Sequence, residues 1–186
     1  MKSLSLNILD IAQNSIRARA TEISIEIAES VTGDFYRISI TDNGSGIPAD
    51  ILEKVTDPFV TTRTKRRMGL GLPLLKYHAE LAGGRLDIFS EHEKGTKITA
   101  SFSNLHLDRQ PLGDIAGVLM ILVAANQGIE FLYKHSTDKG EYSFSSAETK
   151  QYLGVDSLYE RQLLKDLENM INENLKEIEV SGLEFK

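Results

Sequence analysis

Carboxylate and amide side chains near the start of the chain are spaced so that they could act together on one ligand. Asp10 and Asn14 lie in residues 4–19, a stretch with the apolar periodicity of a helix, and a separation of four residues places them on one helix face. An amide oxygen is a neutral ligand for a hard cation, and a carboxylate one turn away could direct a water molecule. The alternative is a polar stripe that faces solvent.

Two glycine-bearing segments are the next candidates for ligand binding. Residues 42–48 (DNGSGIP) break a strand, and residues 69–72 (GLGL) open a helix, where exposed amides and the helix dipole suit phosphate oxygens. Neither is a Walker loop or a Rossmann fingerprint, because the sequence lacks G-x-x-x-x-G-K-S/T and both segments lack the third glycine. The spacing of Asp42 and Glu53 copies a calcium loop, but Ile47 and two glycines occupy its inner positions and exclude that function. The alternatives are an ordinary turn and an ordinary helix entry.

The composition limits the class of protein. A length of 186 residues fits one nucleotide-sized domain and a smaller appendage, and 41% hydrophobic with 26% charged residues is typical of a globular chain. The absence of cysteine excludes disulfides, thiolate zinc sites, iron–sulfur clusters and a cysteine nucleophile, and four scattered histidines argue against a dedicated transition-metal site. A net charge of −6, all of it in residues 105–186, argues against nucleic acid as the main partner.

No stretch of the sequence is suited to crossing a membrane. The longest apolar run, from Ile115 to Ala125, is shorter than the ~18–20 residues that a span needs. The N-terminus lacks the apolar stretch and the cleavage site of a signal peptide. The sequence therefore predicts a cytoplasmic protein without a membrane partner.

The elements that would position these residues follow the order α-β-β-loop-α-β-β in residues 1–104. Alternating isoleucines in residues 22–28 are typical of a half-buried strand, and Leu9, Ala12 and Ile16 predict the core stripe of the first helix. We expect helices on one face of a mixed or antiparallel sheet. The predicted elements are a helix at 4–19, strands at 22–28 and 35–42, a short helix at 49–55, a loop at 60–68, a helix at 69–83, and strands at 85–91 and 97–103.

Residues 105–186 predict a second, smaller α+β unit. Its first helix is strongly apolar, residues 136–140 carry a hairpin turn signal, and Asp156 is expected to cap a final amphipathic helix. We expect the apolar faces of both helices to be core, with any exposed share a surface for homodimerisation. The predicted elements are a helix at 114–126, strands at 129–134 and 141–146, a short helix at 147–153, and a helix from Asp156 to about Ile178.

Five short segments follow one another along the first half of the sequence, namely Asp10-x-x-x-Asn14, DNGSGI at 42–47, DPFVTT at 57–62, GLGL at 69–72 and KGT at 94–96. Taken in this order they resemble the nucleotide-binding boxes of the GHKL ATPase family, which includes gyrase B, the heat-shock chaperone ATPases, histidine kinases and mismatch-repair ATPases. The first box is most similar to the mismatch-repair branch, whereas DPFVTT, GLGL and the short lid between them are similar to the catalytic domain of histidine kinases. The resemblance covers about residues 5–104.

The resemblance implies a fold, two ligands and four residue roles. The fold would be a Bergerat-type two-layer α/β sandwich with a mixed sheet and helices on one face, and the ligands would be ATP and Mg2+. Asn14 would hold magnesium, and Asp10 would be the catalytic base, although the gyrase and mismatch-repair branches carry a longer glutamate there. This departure leaves hydrolysis open, while binding is still expected. Asp42 would accept a hydrogen bond from the adenine amino group, which excludes guanine, and Thr96 would support that contact.

Further contacts with the nucleotide follow from the same resemblance. Gly44 and Gly46 would let the backbone approach the base and ribose, Gly69 and Gly71 would bind phosphates, and one or two cations of the lid would meet the γ-phosphate. Phe59 is expected to pack at the base of the lid. The full set of residues expected at the nucleotide is Asn14, Asp42, Gly44, Gly46, Ile47, Phe59, Thr62, Arg63, Lys65, Gly69, Leu70, Gly71, Leu72 and Thr96.

The sequence leaves more than one function open. His92 and Glu93 copy the dipeptide of a phosphoacceptor box but lie in a turn beside the expected nucleotide, and no dimerisation helix pair precedes Asn14. We therefore expect a stand-alone domain that hydrolyses ATP slowly or transfers a phosphoryl group to a separate protein. The alternatives are an ATP-gated interaction module similar to anti-sigma-factor regulators, and a degenerate fold with an empty pocket. The expected partners are ATP or ADP and an unidentified protein.

Overall fold

The structure of the protein is a computed structural model that describes residues 2–52, 55–56 and 71–183. Within these residues the chain forms six helices and six strands, so the fold is α+β. The helices are α1 (Leu4–Arg17), α2 (Ala49–Leu52), α3 (Gly71–Leu81), α4 (Ile115–Ala125), α5 (Ser146–Leu153) and α6 (Arg161–Glu177). The strands are β1 (Glu22–Ser30), β2 (Phe35–Asp42), β3 (Arg85–Glu91), β4 (Gly95–Phe102), β5 (Glu130–Ser136) and β6 (Glu141–Ser145).

The six strands form one mixed sheet in the order β3-β4-β2-β1-β5-β6. Neighbouring strands are antiparallel except for β1 and β5, which run parallel with Ile25 opposite Tyr133. The pairs β1–β2, β3–β4 and β5–β6 are antiparallel neighbours that follow one another in the chain, as the turn signals predicted. The prediction of a mixed sheet is confirmed.

Helices cover one face of this sheet, and polar side chains line the other. On β1 the side chains of Ile23, Ile25 and Ile27 are buried, whereas Glu22 and Glu26 are exposed. The helices α3, α1, α4 and α6 lie side by side in that order, with α3 on β3 and β4, α1 on β2, α4 on β5 and α6 on β6. The predicted two-layer sandwich is therefore confirmed, and it continues through both of the predicted units.

One buried apolar cluster joins the two predicted units. Ile8 of α1, Ile25 of β1 and Leu119 of α4 belong to it. The backbone amide of Leu4, at the start of α1, donates to the carbonyl of Pro111 at 3.0 Å. The boundary between two domains near residue 104 stays a prediction, because a continuous sheet can contain more than one folding unit.

The core face of α1 differs from the predicted one. Ile8, Ile11 and Ala12 are fully buried, whereas Leu9 and Ile16 are only partly buried. The buried face is wide because α1 lies over the sheet between α3 and α4. It also includes small polar residues, which the apolar periodicity did not indicate, namely Ser5, Asn7 and Ser15.

The start of the last helix was predicted too early. The helix α6 begins at Arg161, with Glu160 in the capping position, and Asp156 does not cap it. The side-chain amide of Gln127 holds the preceding segment, since its Oε1 accepts from the backbone amide of Leu158 at 2.7 Å and its Nε2 donates to the carbonyl of Leu158 at 2.9 Å. The bond to the Leu158 carbonyl occupies an acceptor that a helix capped by Asp156 would need in its first turn.

The most apolar helix is α4, and most of its residues are buried as the sequence predicted. The side chain of Ile121 is an exception, because it is exposed. The carboxylate of Asp114 caps the helix by accepting from the amide of Gly117 at 2.8 Å. None of the helices in the part of the chain that the structure describes is long and apolar enough to cross a membrane.

Candidate functional site

Three neighbouring strands end in one row of polar residues on the helix-covered face. Ser90 of β3 pairs in register with Thr96 of β4, and Thr96 pairs with Asp42 of β2. Their side chains share the face on which α1 lies, because Asp42 follows the buried positions of β2 and Thr96 those of β4. The row therefore forms one wall of a site whose other wall is α1.

The Asp42 carboxylate is held at both of its oxygens. The Ser15 hydroxyl on α1 donates to Oδ2 at 2.6 Å, and the backbone amide of Gly44 donates to Oδ1 at 2.9 Å. Asp42 is 8% exposed, so a ligand can reach a small part of it. Since Ser15 directly follows Asn14, this bond also brings the predicted metal ligand and the predicted adenine-selecting residue to the same end of the molecule.

Asn43 fastens the glycine-bearing loop to the start of β1. Its Oδ1 accepts the backbone amides of Thr21 at 2.9 Å and Glu22 at 3.0 Å, and its Nδ2 donates to the Thr21 hydroxyl at 2.9 Å. The amide of Ser45 donates to the carbonyl of Ala18 at 2.8 Å, which ties the loop to the end of α1. The sequence indicated a turn at Asn43 but not this role.

Two glycines allow close contact between backbones at the site. Gly46 has φ +68°, and a Cβ there would lie 2.3 Å from the carbonyl oxygen of Glu91. Gly95 has φ +113°, and a Cβ there would lie 1.9 Å from the carbonyl oxygen of Asp42. Both positions therefore exclude a side chain because of the protein's own backbone. The approach of the Gly44 and Gly46 backbone to a base and ribose stays a prediction.

Ser90 joins the loop to the row of strand ends. Its hydroxyl accepts the backbone amide of Ile47 at 2.8 Å and lies 3.0 Å from the carbonyl of Gly95 and 2.9 Å from the Thr96 hydroxyl. The predicted residues Ile47 and Thr96 are thus brought together through a serine that the sequence analysis did not single out. A hydrogen-bonding role for Ser90 could not be recognised before the pairing of β3 and β4 was known.

The start of α3 meets α1 at Asp10. A Cβ added to Gly71, the first residue of α3, would lie 1.8 Å from Oδ2 of Asp10, so the carboxylate lies directly against that glycine. The positive end of the α3 dipole favours a negative group at this point. Two motifs sixty residues apart in the chain, at Asp10 and Gly71, are therefore adjacent in the fold.

The role of Asn14 as a magnesium ligand stays a prediction. Its Oδ1 accepts from Nη1 of Arg17 at 2.5 Å, so the Arg17 guanidinium would have to move away before that oxygen could bind a cation. Arg17 was not among the residues that the sequence placed at the site. Oxygen donors are what Mg2+ prefers, with waters and phosphate oxygens completing its coordination. The described residues contain no group of three or more His, Asp or Glu side chains that could hold a metal without such help.

Seven residues predicted at the nucleotide lie either in the core or outside the described part of the chain. Leu72 is buried in the core beside Leu75, and a contact with the nucleotide stays a prediction for it. The loop predicted at 60–68 lies outside the described residues. The same holds for six residues expected at the nucleotide, namely Phe59, Thr62, Arg63, Lys65, Gly69 and Leu70.

Comparison with known proteins assigns the chain to a class. Residues 2–106, more than half of the chain, match the family described as "Histidine kinase-, DNA gyrase B-, and HSP90-like ATPase". The chain belongs to this family of GHKL ATPases, and its mixed sheet with helices agrees with the Bergerat fold. Membership implies ATP binding, as in histidine-kinase-like proteins.

Two of the similar sequences are sensor histidine kinases. The putative sensor histidine kinase NtrY-like of Rickettsia conorii is 35% identical over 108 residues, which are 58% of this chain and 18% of that protein. The sensor histidine kinase ZraS of Escherichia coli K12 is 34% identical over 92 residues, 50% of this chain and 20% of that protein. The chain thus spans about a fifth of the length of these curated relatives.

A solved structure extends the likeness in fold beyond the matched residues. The crystal structure of the N-terminal domain of a DNA repair protein superposes with a TM-score of 0.53 and 21% identity, covering 78% of this chain and 53% of that one. The superposed 78% of this chain is longer than the family-matched segment, residues 2–106. Part of residues 107–186 therefore belongs to the architecture that the two structures share. At this identity the likeness concerns the fold alone.

Proposed function

We propose that this chain binds Mg2+ and ATP between α1, the start of α3 and the row of strand ends, and hydrolyses ATP slowly or transfers its phosphoryl group to a separate protein. One observation carries the proposal: α1 contacts two other predicted boxes at once. Ser15 donates to Asp42, and Asp10 lies against Gly71. Residues that are far apart in sequence are thereby brought into contact with one helix.

The base-binding end of the site would be the row of strand ends. Asp42 would accept a hydrogen bond from the adenine amino group, and a guanine carbonyl at the same position would repel the carboxylate. Thr96, the neighbour of Asp42 in register, would support that contact. The family match supports ATP as the nucleotide.

The phosphate end would lie between α1 and α3. Asn14 would hold Mg2+, which when bound would neutralise phosphate charge. The amides at the start of α3 would bind phosphate oxygens, and Asp10 beside them would orient the attacking water or acceptor hydroxyl. The lid cations are proposed to meet the γ-phosphate.

A second candidate function is an ATP-gated interaction module with little catalysis. The identity of Asp10 favours it, because aspartate is one methylene shorter than the glutamate that the gyrase and mismatch-repair branches carry at this position. In this case nucleotide binding would switch a surface for a protein partner, and chemistry would be secondary. Homodimerisation is a further proposal, for which the exposed Ile121 of the apolar helix α4 is a candidate contact.

Calorimetry with ATP, ADP and GTP, each with and without Mg2+, tests the binding proposal. We expect binding of the adenine nucleotides, tighter binding of ATP with Mg2+, and loss of ATP binding in Asp42→Asn, whose amide would face the adenine amino group with a second donor. Asp87→Asn is the matched control, because Asp87 is exposed and pairs with Arg85 on β3. Wild-type protein that binds no adenine nucleotide would eliminate both candidate functions.

Single-turnover hydrolysis separates the two candidates. If Asp10 acts as the base, Asp10→Asn should bind ATP as wild type does and hydrolyse it on the order of a hundredfold more slowly. Equal rates for the variant and the wild type would exclude Asp10 as the base. ATP binding without measurable hydrolysis in either protein would favour the interaction module.

A further inference from the structure

The buried Ser15 hydroxyl donates its hydrogen bond to Asp42. Ser15 lies on the core face of α1 and is 3% exposed, so water has almost no access to it. A serine hydroxyl has a single proton to donate, and here that proton goes to Oδ2 of Asp42 at 2.6 Å. A short bond to a carboxylate is among the strong hydrogen bonds of proteins.

The two bonds on Asp42 fix the plane of its carboxylate. Ser15 occupies one lone pair of Oδ2, and the Gly44 amide occupies one lone pair of Oδ1 at 2.9 Å. These donors come from different elements, α1 and the loop after β2, so rotation of the carboxylate would break at least one buried bond. The remaining lone pairs keep fixed directions.

We propose that Ser15 is a positioning residue that sets the Asp42 carboxylate to accept the amino group of adenine, and thereby contributes to the choice of adenine over other purines. This inference rests on the proposed binding of ATP at the same site. A carboxylate that is already oriented loses less freedom when the base arrives, so part of the selectivity comes from α1 and not from a residue that touches the base.

The inference predicts that Ser15 and the 6-amino group of the base act together. The test compares ATP with purine riboside triphosphate, which lacks that amino group. Calorimetry on Ser15→Ala should show ATP binding weakened on the order of tenfold, because a carboxylate that is no longer oriented loses its hydrogen bond with the adenine amino group. The dissociation constant for purine riboside triphosphate should be unchanged within about twofold, because a base without the amino group does not use the oriented carboxylate.

Ser5→Ala is the matched control. Ser5 lies on the same helix, is 2% exposed and bonds through its hydroxyl to that of Ser3 at 3.0 Å, at the end of α1 distant from Asp42. Both nucleotides should bind Ser5→Ala as they bind wild type. Ser15→Cys keeps the size of the side chain and a weak donor, so it provides a second variant with a smaller expected loss for ATP if Ser15→Ala does not fold.

The outcomes separate this inference from the proposed function. Wild-type protein that binds neither nucleotide overturns both. Wild-type binding of ATP with equal losses for both nucleotides in the Ser15 variants overturns the inference alone, because it shows a general structural role. Unchanged ATP binding in these variants overturns it as well. A loss confined to ATP supports it.

Discussion

Two fully buried tyrosines on the sheet differ in what their hydroxyls contact. Tyr133 on β5 bonds to Nδ1 of His135 at 2.8 Å. Among the described residues, the hydroxyl of Tyr36 on β2 has no hydrogen-bond partner, and its ring lies 4.7 Å from the guanidinium carbon of Arg109. Burial raises the pKa of both phenols, so each stays neutral in the folded protein.

The two tyrosines should therefore respond differently to loss of the hydroxyl. We expect Tyr133→Phe to lower the free energy of unfolding by about 1 to 2 kcal/mol, because it leaves the buried Nδ1 of His135 without a partner. Tyr36→Phe should be neutral or slightly stabilising, because it removes a buried hydroxyl that makes no bond in the described structure. Urea unfolding of the two variants measures both effects, and equal losses would contradict this account.

Gly71 offers a second test at the level of one residue. A Cβ there would overlap Oδ2 of Asp10, so Gly71→Ala should displace the carboxylate. Because Asp10 is proposed to orient the attacking water, single-turnover hydrolysis of ATP should slow on the order of tenfold, while ATP binding stays as in wild type. Stability should change little, because alanine favours helix α3. Gly128→Ala is the control, since nothing lies within 4 Å of its added Cβ. Equal hydrolysis rates in Gly71→Ala and wild type would mean that Asp10 moves without consequence.

At the level of elements, the strands were predictable and one helix boundary was not. Alternation of isoleucine with polar residues specified β1 because burial of one sheet face requires that pattern. The start of α6 depends on Gln127, which lies thirty-one residues before Leu158 in the chain, and no local pattern reports such a bond.

Contacts between distant residues also limit how much of the site the sequence could reveal. Asp10, Asn14 and Asp42 were recognisable as motifs. Ser15, Asn43 and Ser90 act through contacts that exist only in the fold.

The Gln127 contact predicts the stability of the segment before α6. Gln127→Ala leaves the buried backbone groups of Leu158 without partners, so we expect a loss of about 1 to 3 kcal/mol and faster hydrogen exchange at the Leu158 amide. Gln162→Ala is the control, because that amide bonds to Asp166 on the exposed side of α6 and should change stability by less than about 0.5 kcal/mol. Similar losses in both variants would argue against this role of Gln127.

At the level of the whole molecule, a buried contact between a carboxylate and a histidine joins strands from both predicted units. Glu29 of β1 accepts from Nε2 of His135 on β5 at 3.0 Å and from the backbone amide of Ser181 at 3.0 Å, and it also bonds to the Ser181 hydroxyl. Burial raises the pKa of Glu29, but the hydrogen bonds from His135 and Ser181 outweigh it, so the pKa lies below its usual value of 4.5.

This lowered pKa predicts a loss of stability in acid. The ionised Glu29 stabilises the fold fully above the pKa of the unfolded chain, about 4.5, and the contribution disappears as the pH falls through the lower folded pKa. Glu29→Gln should remove that part of the pH dependence and lower stability at pH 7 by about 3 kcal/mol. Glu26→Gln, an exposed position on the same strand, is the control. Urea unfolding between pH 3 and pH 7 tests this, and a parallel acid slope in Glu29→Gln would refute it.

The parallel ladder from Glu22 to Ala28 makes β1 an interior strand of the sheet. A fragment that stops near residue 104 would present those amides and carbonyls to any neighbouring chain, together with the apolar flank of α1 that α4 now shields. We expect such a fragment to aggregate in light scattering where the full chain does not. An assay of nucleotide chemistry on the family-matched residues 2–106 therefore requires that the chain continue through α4 and the β5–β6 hairpin.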